Sequence, residues 1–235
     1  MAKYNGKKIF FSPRVIIGNN YDKGKQDEYD AFWDEYQQNG ARTNYQHAFS
    51  GHGWTEKTFK PKYDMMPSRG DGMFRLNTTM TGDFVELLKT LDVTLDFSKC
   101  TNFNDAFSYC YFDRIGIIDT TSASNLGTTF AYSRIRTIDK LVLKSDGSQK
   151  YSNPFASQEH LENLTIEGTI GQNGFNVQYS TKLSKASITS IINALSTTTS
   201  GLTVTLSQTA VNNAFTTDEW NALIATKSNW TISLV

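Results

Sequence analysis

The sequence predicts an α/β protein in which a solenoid of short parallel strands follows a small N-terminal β-hairpin and an amphipathic aromatic helix. One observation behind the solenoid is a recurring phenylalanine that follows a small residue or a proline. It occurs at Phe107, Phe130, Phe155 and Phe175, with spacings of 23, 25 and 20 residues. The other is a spaced apolar triplet after each of the first three phenylalanines. Two markers with nearly the same period indicate stacked repeats.

The N-terminal segment, residues 1–62, differs from the rest and is predicted to attach or cap the protein. Residues 7–18, KKIFFSPRVIIG, contain two apolar runs divided by Ser12 and Pro13, which indicates a strand, a turn and a second strand. Four aromatic residues then share one face of a predicted helix: Tyr29, Phe32, Trp33 and Tyr36. This face either packs on the neighbouring domain or serves self-association and docking onto a larger assembly.

Residues 63–235 are predicted to form the solenoid and its C-terminal cap. The three triplets share the pattern L-x-x-L-x-L, and their period lies in the leucine-rich-repeat range. They are Phe112, Ile115 and Ile117; Ile138, Leu141 and Leu143; and Leu161, Leu164 and Ile166. A short strand with one turn cannot bury its apolar side alone. The repeats are therefore expected to stack, with the strands in a parallel sheet and the phenylalanines inside.

Other elements follow from their own patterns. Alternation of apolar residues predicts a strand at residues 90–98 and another at 73–76, with a helix between them. A fourth triplet competes with a helical stripe. We expect the helix there, capped by Ser187, with the strand of that repeat moved back to residues 175–180. A strand at 201–206, a helix at 216–228 and a terminal strand complete the prediction.

A candidate binding surface follows from the alternation of side chains along a strand. If the apolar residues of the triplets point inward, their neighbours form an exposed face. These neighbours are Thr94, Asp96, Arg114, Gly116, Lys140, Val142, Lys144, Asn163, Thr165 and Glu167. Mixed charges and small polar groups suit a protein or glycan partner better than an apolar ligand. A face that is merely solvated is the alternative.

Charge and composition argue against several classes of function. Lys plus Arg and Asp plus Glu are 23 each, so there is no summed positive charge to hold a nucleic acid. No stretch approaches the ~18 apolar residues of a membrane span, so membrane insertion is not expected. The sequence contains three histidines and no nucleophile elbow, P-loop or zinc motif. We therefore expect a non-enzymatic protein without a metal or cofactor; a glycan-cleaving enzyme would need a close carboxylate pair.

Two smaller features have structural interpretations. Cys100 and Cys110 are too few for a disulfide scaffold, and we expect both to be reduced and buried. The tripeptide Arg69-Gly70-Asp71 matches a motif that integrin ligands present on loops. A chain that is not exported would rarely meet an integrin, so we interpret these residues as part of a turn.

The stretches NDAFSYC (104–110) and GTTFAYS (127–133), with the triplets that follow them, resemble the units of BspA-like leucine-rich repeats from gut Firmicutes and their prophages. The resemblance extends over about residues 63–235. Only the first stretch keeps the cysteine, and Ser133 and Gln158 stand at the equivalent positions of the next two units. The resemblance implies recognition or adhesion for the surface proteins of this family, and a tail or virion role for the prophage versions.

The expected function is therefore that of a phage or prophage virion component, associated with the tail, that displays a leucine-rich-repeat binding surface. Adhesins of this family carry a secretion signal and a wall anchor, whereas the start MAKYNGKKIFF has no apolar run of signal-peptide length behind its charges. We expect the protein in the virion or in the cytoplasm of the producing cell, as a homo-oligomer or docked through residues 1–62. The alternative is a cell-surface adhesin that binds a host protein or glycan.

Overall fold

The computed structural model describes residues 3–4, 7–8, 33–38 and 40–235. At the N-terminus, strand β1 (Lys3–Tyr4) pairs antiparallel with β2 (Lys7–Lys8). The aromatic helix α1 is described over residues 33–37. Most of the predicted strand, turn and strand at 7–18, together with Tyr29 and Phe32, lies outside the described residues.

The rest of the chain is a mixed α/β structure with short parallel strands. Its helices are α2 (Phe84–Thr90), α3 (Lys185–Ala194), α4 (Gln208–Ala214) and α5 (Thr217–Ala225). Its strands are β3 (Arg114–Asp119), β4 (Asn125–Leu126), β5 (Thr137–Val142), β6 (Lys150–Tyr151), β7 (Asn163–Glu167), β8 (Asn176–Val177), β9 (Leu202–Leu206) and β10 (Trp230–Leu234). They form three parallel sheets with the strand orders β3-β5-β7, β4-β6 and β10-β9-β8.

A column of six buried phenylalanines runs through the core, each ring next to the ring of the following turn. The column consists of Phe49, Phe74, Phe107, Phe130, Phe155 and Phe175, which are all at most 1% exposed. Successive ring centroids are 5.3, 5.4, 5.8, 5.2 and 5.5 Å apart. Four of the recurring phenylalanines were predicted from the sequence. The column also includes Phe49, from the segment predicted to attach or cap the protein, and Phe74.

Backbone hydrogen bonds join the turns that carry these rings. The N–H of Phe74 donates to the carbonyl of Ala106 at 2.7 Å, and the N–H of Phe107 donates to that of Thr129 at 2.8 Å. The same bond links Phe130 to Pro154 at 2.8 Å. The backbone N–H of each of these phenylalanines therefore donates to a carbonyl of the next turn. These hydrogen bonds fix the spacing of the rings.

The register of the sheet corrects the predicted triplets. Ile115 of β3 pairs with Ile138 of β5, and Ile118 pairs with Leu141. The predicted second triplet therefore begins three residues too late, because Ile138 is the partner of Ile115 and not of Phe112. Ile117, predicted to point inward, is 59% exposed, whereas Ile118 is 3% exposed. Buried residues three apart cannot lie on one face of a strand that alternates strictly, so β3 departs from regular pleating.

Other predictions had mixed outcomes. Helix α2 is confirmed between the two predicted strands, but residues 73–76 form a turn, and 90–98 form only an isolated bridge between Met65 and Leu95. Helix α3 is confirmed, although its N-cap is Ser184 rather than Ser187. Strands β8, β9 and β10 and helix α5 are confirmed, and α4 was not predicted.

Helix α3 lies along the open edge of the three-stranded sheet. The N–H of Leu164 on β7 donates to the Ser187 hydroxyl at 2.9 Å, and the N–H of Ile166 donates to the Ser190 hydroxyl at 2.8 Å. Two serines thus accept the hydrogen bonds that a fourth strand would otherwise accept. An edge satisfied in this way is not available to pair with another chain.

Candidate functional site

The outer surface of the sheet β3-β5-β7 brings together most of the predicted binding residues. We define the strand face as Arg114, Gly116, Lys140, Val142, Asn163, Thr165 and Glu167, which are all half-buried or exposed. Gly116 lies against α2, where a side chain at that position would come within 3.2 Å of Val85. The exposed Ile117 and the half-buried Asp139 also belong to this surface, and sequence alternation did not predict them.

Arg114 is the centre of an ion-pair cluster at one side of the strand face. Its Nε and Nη2 donate to the two carboxylate oxygens of Asp139 at 2.7 and 2.8 Å, and its Nη1 donates to Asp83 at 3.0 Å. Partial burial acts to raise the pKa of Asp83, but the Glu86 N–H and Arg114 outweigh it and hold that pKa below its usual range. The bonds to Asp139 and Asp83 raise the pKa of Arg114. One guanidinium therefore engages both carboxylates and joins β3, β5 and the N-terminus of α2.

A second ion pair and an apolar side chain complete the middle of the strand face. Lys140 on β5 donates to Glu167 on β7 at 2.6 Å. Ile117 pairs in register with Lys140 and exposes 59% of its surface. The strand face therefore presents the exposed Ile117 and the half-buried Val142 among charges that largely balance one another. This arrangement can make non-covalent contacts to a partner, and its charges are already held in place.

Three predicted binding residues do not belong to the strand face. The N–H of Thr94 donates to the Asp64 carboxylate at 2.7 Å, and the Asp96 carboxylate accepts the N–H of Ser98 at 2.8 Å. Both therefore act within the preceding turns. Lys144 lies two residues beyond the end of β5. Alternation predicted that Thr94 and Asp96 would be exposed, but it could not predict that their segment would lie outside the sheet.

The predicted docking helix is part of the core where it is described. Trp33 is 0% exposed, and its ring lies 5.6 Å from Phe49, 5.6 Å from Trp54 and 5.8 Å from Phe59. Tyr36 is half-buried, with the Arg42 guanidinium 3.9 Å above its ring. These two residues therefore pack on the neighbouring part of the chain, which is one of the two interpretations that the sequence left open.

The Arg69-Gly70-Asp71 tripeptide and the two cysteines have the structural roles that the sequence indicated. Nε of Arg69 donates to Asp71 at 2.6 Å, and Asp71 is 8% exposed, so this tripeptide closes its own ion pair. Cys100 and Cys110 are both buried and unpaired, as expected. Burial raises the pKa of Cys100 to about 11 and raises that of Cys110 further. A thiol held in its protonated form is a poor nucleophile.

Within the described residues no group of three or more His, Cys, Asp or Glu side chains is placed to hold a metal ion. In the same part of the chain, every helix is too short or too polar to cross a membrane. The strand face has to be interpreted from its own geometry, because no protein-family model, curated protein or solved structure matches the chain.

Proposed function

We propose that this chain is a non-enzymatic recognition protein, a tail-associated component of a phage or prophage virion, built on a BspA-like leucine-rich-repeat solenoid. In this proposal the strand face is displayed toward a protein or glycan on the host. The single observation that carries it is the column of stacked phenylalanines with the exposed parallel strands beside it. A bacterial surface adhesin with the same binding surface is the alternative.

Recurring backbone conformations support the solenoid. Residues with positive φ are uncommon outside glycine, yet they recur here at fixed offsets from the phenylalanine column. Some lie two residues before a column phenylalanine: His47, Gly72, Asp105 and Asn153. Others lie two residues after one: Gly51, Leu76, Tyr109, Tyr132 and Ser157. Their φ angles are between 49° and 94°. The same turn is thus built several times from different sequences, as expected of stacked repeats.

The fixed geometry of the strand face supports a role in binding. Arg114 is held by two carboxylates, and Lys140 is held by Glu167, so these side chains lose little conformational freedom when a partner arrives. Ile117 projects between them and offers apolar area that a partner would bury. An apolar centre with a polar rim is the usual anatomy of a protein interface.

Binding is tested with the fluorescently labelled full chain on intact cells of the producing strain. The variant Ile117→Asp should weaken binding at least tenfold, because it places an unpaired carboxylate where apolar area would be buried. Met66→Asp is the matched control, since Met66 is 43% exposed and is not part of β3, β5 or β7. Equal binding by the two variants would reject the strand face as the contact surface.

Location separates the virion from the adhesin. Immunogold labelling of particles released by prophage induction should mark the tails if the proposed function is right. Label on intact uninduced cells and not on particles would favour the adhesin, and label on neither would reject both. Attachment through the N-terminus is tested by deleting residues 1–32, which spares the buried Trp33. If light scattering finds the same assembly size after the deletion, those residues do not mediate attachment.

A further inference from the structure

A ladder of exposed tyrosines runs outside the phenylalanine column. Tyr109 and Tyr132 each stand two residues after a column phenylalanine and share the same left-handed backbone conformation, with φ of 55° and 57°. Their rings are parallel within 6°, with centroids 4.7 Å apart, and 39% and 48% of their surfaces are exposed. Tyr109 therefore supports one face of Tyr132 and leaves the other face available.

The next position of the ladder is empty because its residue is small. Ser157 stands two residues after Phe155 with a φ of 49°, equivalent to Tyr109 and Tyr132, but a serine side chain cannot continue the stack. A cavity of about 230 Å³ lies there, and its lining includes Tyr132 from the preceding turn and Tyr179 from the following turn. We call this cavity the tyrosine slot. Tyr179 is 45% exposed.

The remaining lining of the tyrosine slot is uncharged and, apart from Phe155 and Ala156, polar. Its polar residues are Asn153, Ser157, Asn176 and Gln178, and the Asn176 side-chain oxygen accepts the Gln178 N–H at 2.9 Å. Aromatic faces bind apolar C–H surfaces, while amides donate and accept hydrogen bonds at once. A ligand that suits this site has a ring with an apolar face, hydroxyl groups around its edge and no charge.

We propose that the tyrosine slot binds a pyranose ring of a neutral glycan, held between Tyr132 and Tyr179. The cavity is smaller than the ~300–1,000 Å³ of sites for drug-sized ligands, which favours one ring of a chain over a large cofactor. A nucleobase could also stack on tyrosine, but strand binding relies on a basic groove, and the lining residues include no lysine or arginine. This site is separate from the strand face, and either one can fail without the other.

The tyrosine slot is tested by applying the full chain to an array of neutral and acidic oligosaccharides, followed by calorimetric titration of the best neutral binder. We expect binding to a neutral pyranose oligosaccharide. Ser157→Tyr should weaken it at least tenfold by filling the slot. Tyrosine already occupies this conformation at two equivalent positions, so this variant is expected to fold. Tyr132→Ala and Tyr179→Ala should weaken binding similarly. If circular dichroism shows that Ser157→Tyr is misfolded, these two variants test the proposal in its place.

Ile117→Asp is the control, because it alters the strand face and leaves the tyrosine slot intact. It should bind the oligosaccharide as the wild type does, even if it no longer binds cells. The proposal is overturned if the array yields only acidic glycans or no glycan at millimolar concentration. It is also overturned if affinity for the neutral glycan survives the slot variants.

Discussion

Phe130, in the middle of the phenylalanine column, provides the sharpest test of the structure. Its ring is 0% exposed and stacks on Phe107 at 5.8 Å and on Phe155 at 5.2 Å. Phe130→Ala removes a fully buried ring from between two others whose positions are fixed by backbone hydrogen bonds, so the cavity cannot collapse. We expect a loss of about 3–5 kcal/mol in the free energy of unfolding. That is a large share of the ~5–15 kcal/mol typical of a domain.

Phe130→Leu separates ring stacking from loss of volume. Leucine keeps much of the buried volume but removes two aromatic pairs, each worth about 0.5–1.5 kcal/mol beyond the area that it buries. The expected loss is therefore about 1–3 kcal/mol. Phe215→Leu is the control, because Phe215 is half-buried and, among the described residues, its ring contacts one other ring, that of Trp220 at 5.6 Å, and the Lys185 ammonium at 5.0 Å. The single aromatic pair is worth about 0.5–1.5 kcal/mol, half of what the two pairs at Phe130 are worth.

The measurement is urea unfolding followed by circular dichroism and by tryptophan fluorescence. The two probes should coincide if the column unfolds as one unit. A double-mutant cycle between Phe107→Leu and Phe130→Leu should give a coupling of about 0.5–1.5 kcal/mol. Two results would refute the argument that the stacked rings stabilise the fold. One is a loss below about 1 kcal/mol for Phe130→Ala, and the other is a double-mutant cycle in which the effects of the two leucine substitutions simply add.

Three further predictions concern other parts of the fold. Ser187→Ala should lower the free energy of unfolding, measured with urea, by about 1–3 kcal/mol, because it leaves the buried Leu164 N–H without a hydrogen-bond acceptor. Ser200 is exposed, so Ser200→Ala should change that free energy very little. The Lys185 ammonium and the Thr216 N–H lower the pKa of Glu219 to about 2 from its ordinary value of 4.5. That stabilisation is complete above pH 4.5 and is lost as the pH falls toward 2, so the stability difference between wild type and Glu219→Gln should shrink over this range. Cys110 should not react with a thiol reagent until urea unfolds the protein, and rapid reaction of the native chain would show that it is accessible.

The period of the column could be predicted from the sequence only where its spacing was regular. From Phe107 onward the intervals of 23, 25 and 20 residues predicted this part of the column. Phe74 is 33 residues before Phe107 and follows a methionine, so it matched neither marker. Phe49 does follow an alanine, and that marker was present in the sequence. The intervals vary because loops of different length join turns of the same shape.

On the strand face, alternation of side chains predicted the burial of some residues and not of others. Alternation correctly predicted that Thr165 is exposed and Leu164 buried, because β7 alternates there. It was wrong for Ile117, since β3 buries residues that are three apart. The partner of Arg114 could not be predicted either. Asp139 stands on a different strand, and only the register brings the two side chains together.

The tyrosine slot depends on a side chain that is small, and this is why the sequence did not suggest it. Tyr109 and Tyr132 share their offset from the column phenylalanines, and that pattern is visible in AFSYC and TFAYS. Ser157 carries no signal of its own. It becomes informative only when the backbone places it at the same position of the ladder as the two tyrosines.

If the tyrosine slot binds a glycan as proposed, the stacked turns allow the ligand to change without loss of the fold. Hydrogen bonds between turns set the spacing, and the same spacing holds phenylalanines inside and tyrosines outside, at 5.8 Å for Phe107 and Phe130 and 4.7 Å for Tyr109 and Tyr132. The outer side chains are anchored by the turn and contribute little to the buried core. Substitutions at Ser157 should therefore alter binding with little effect on the midpoint of unfolding. Substitutions at Phe130, which is buried in the column and does not line the slot, should lower the midpoint of unfolding and leave binding by the folded protein unchanged.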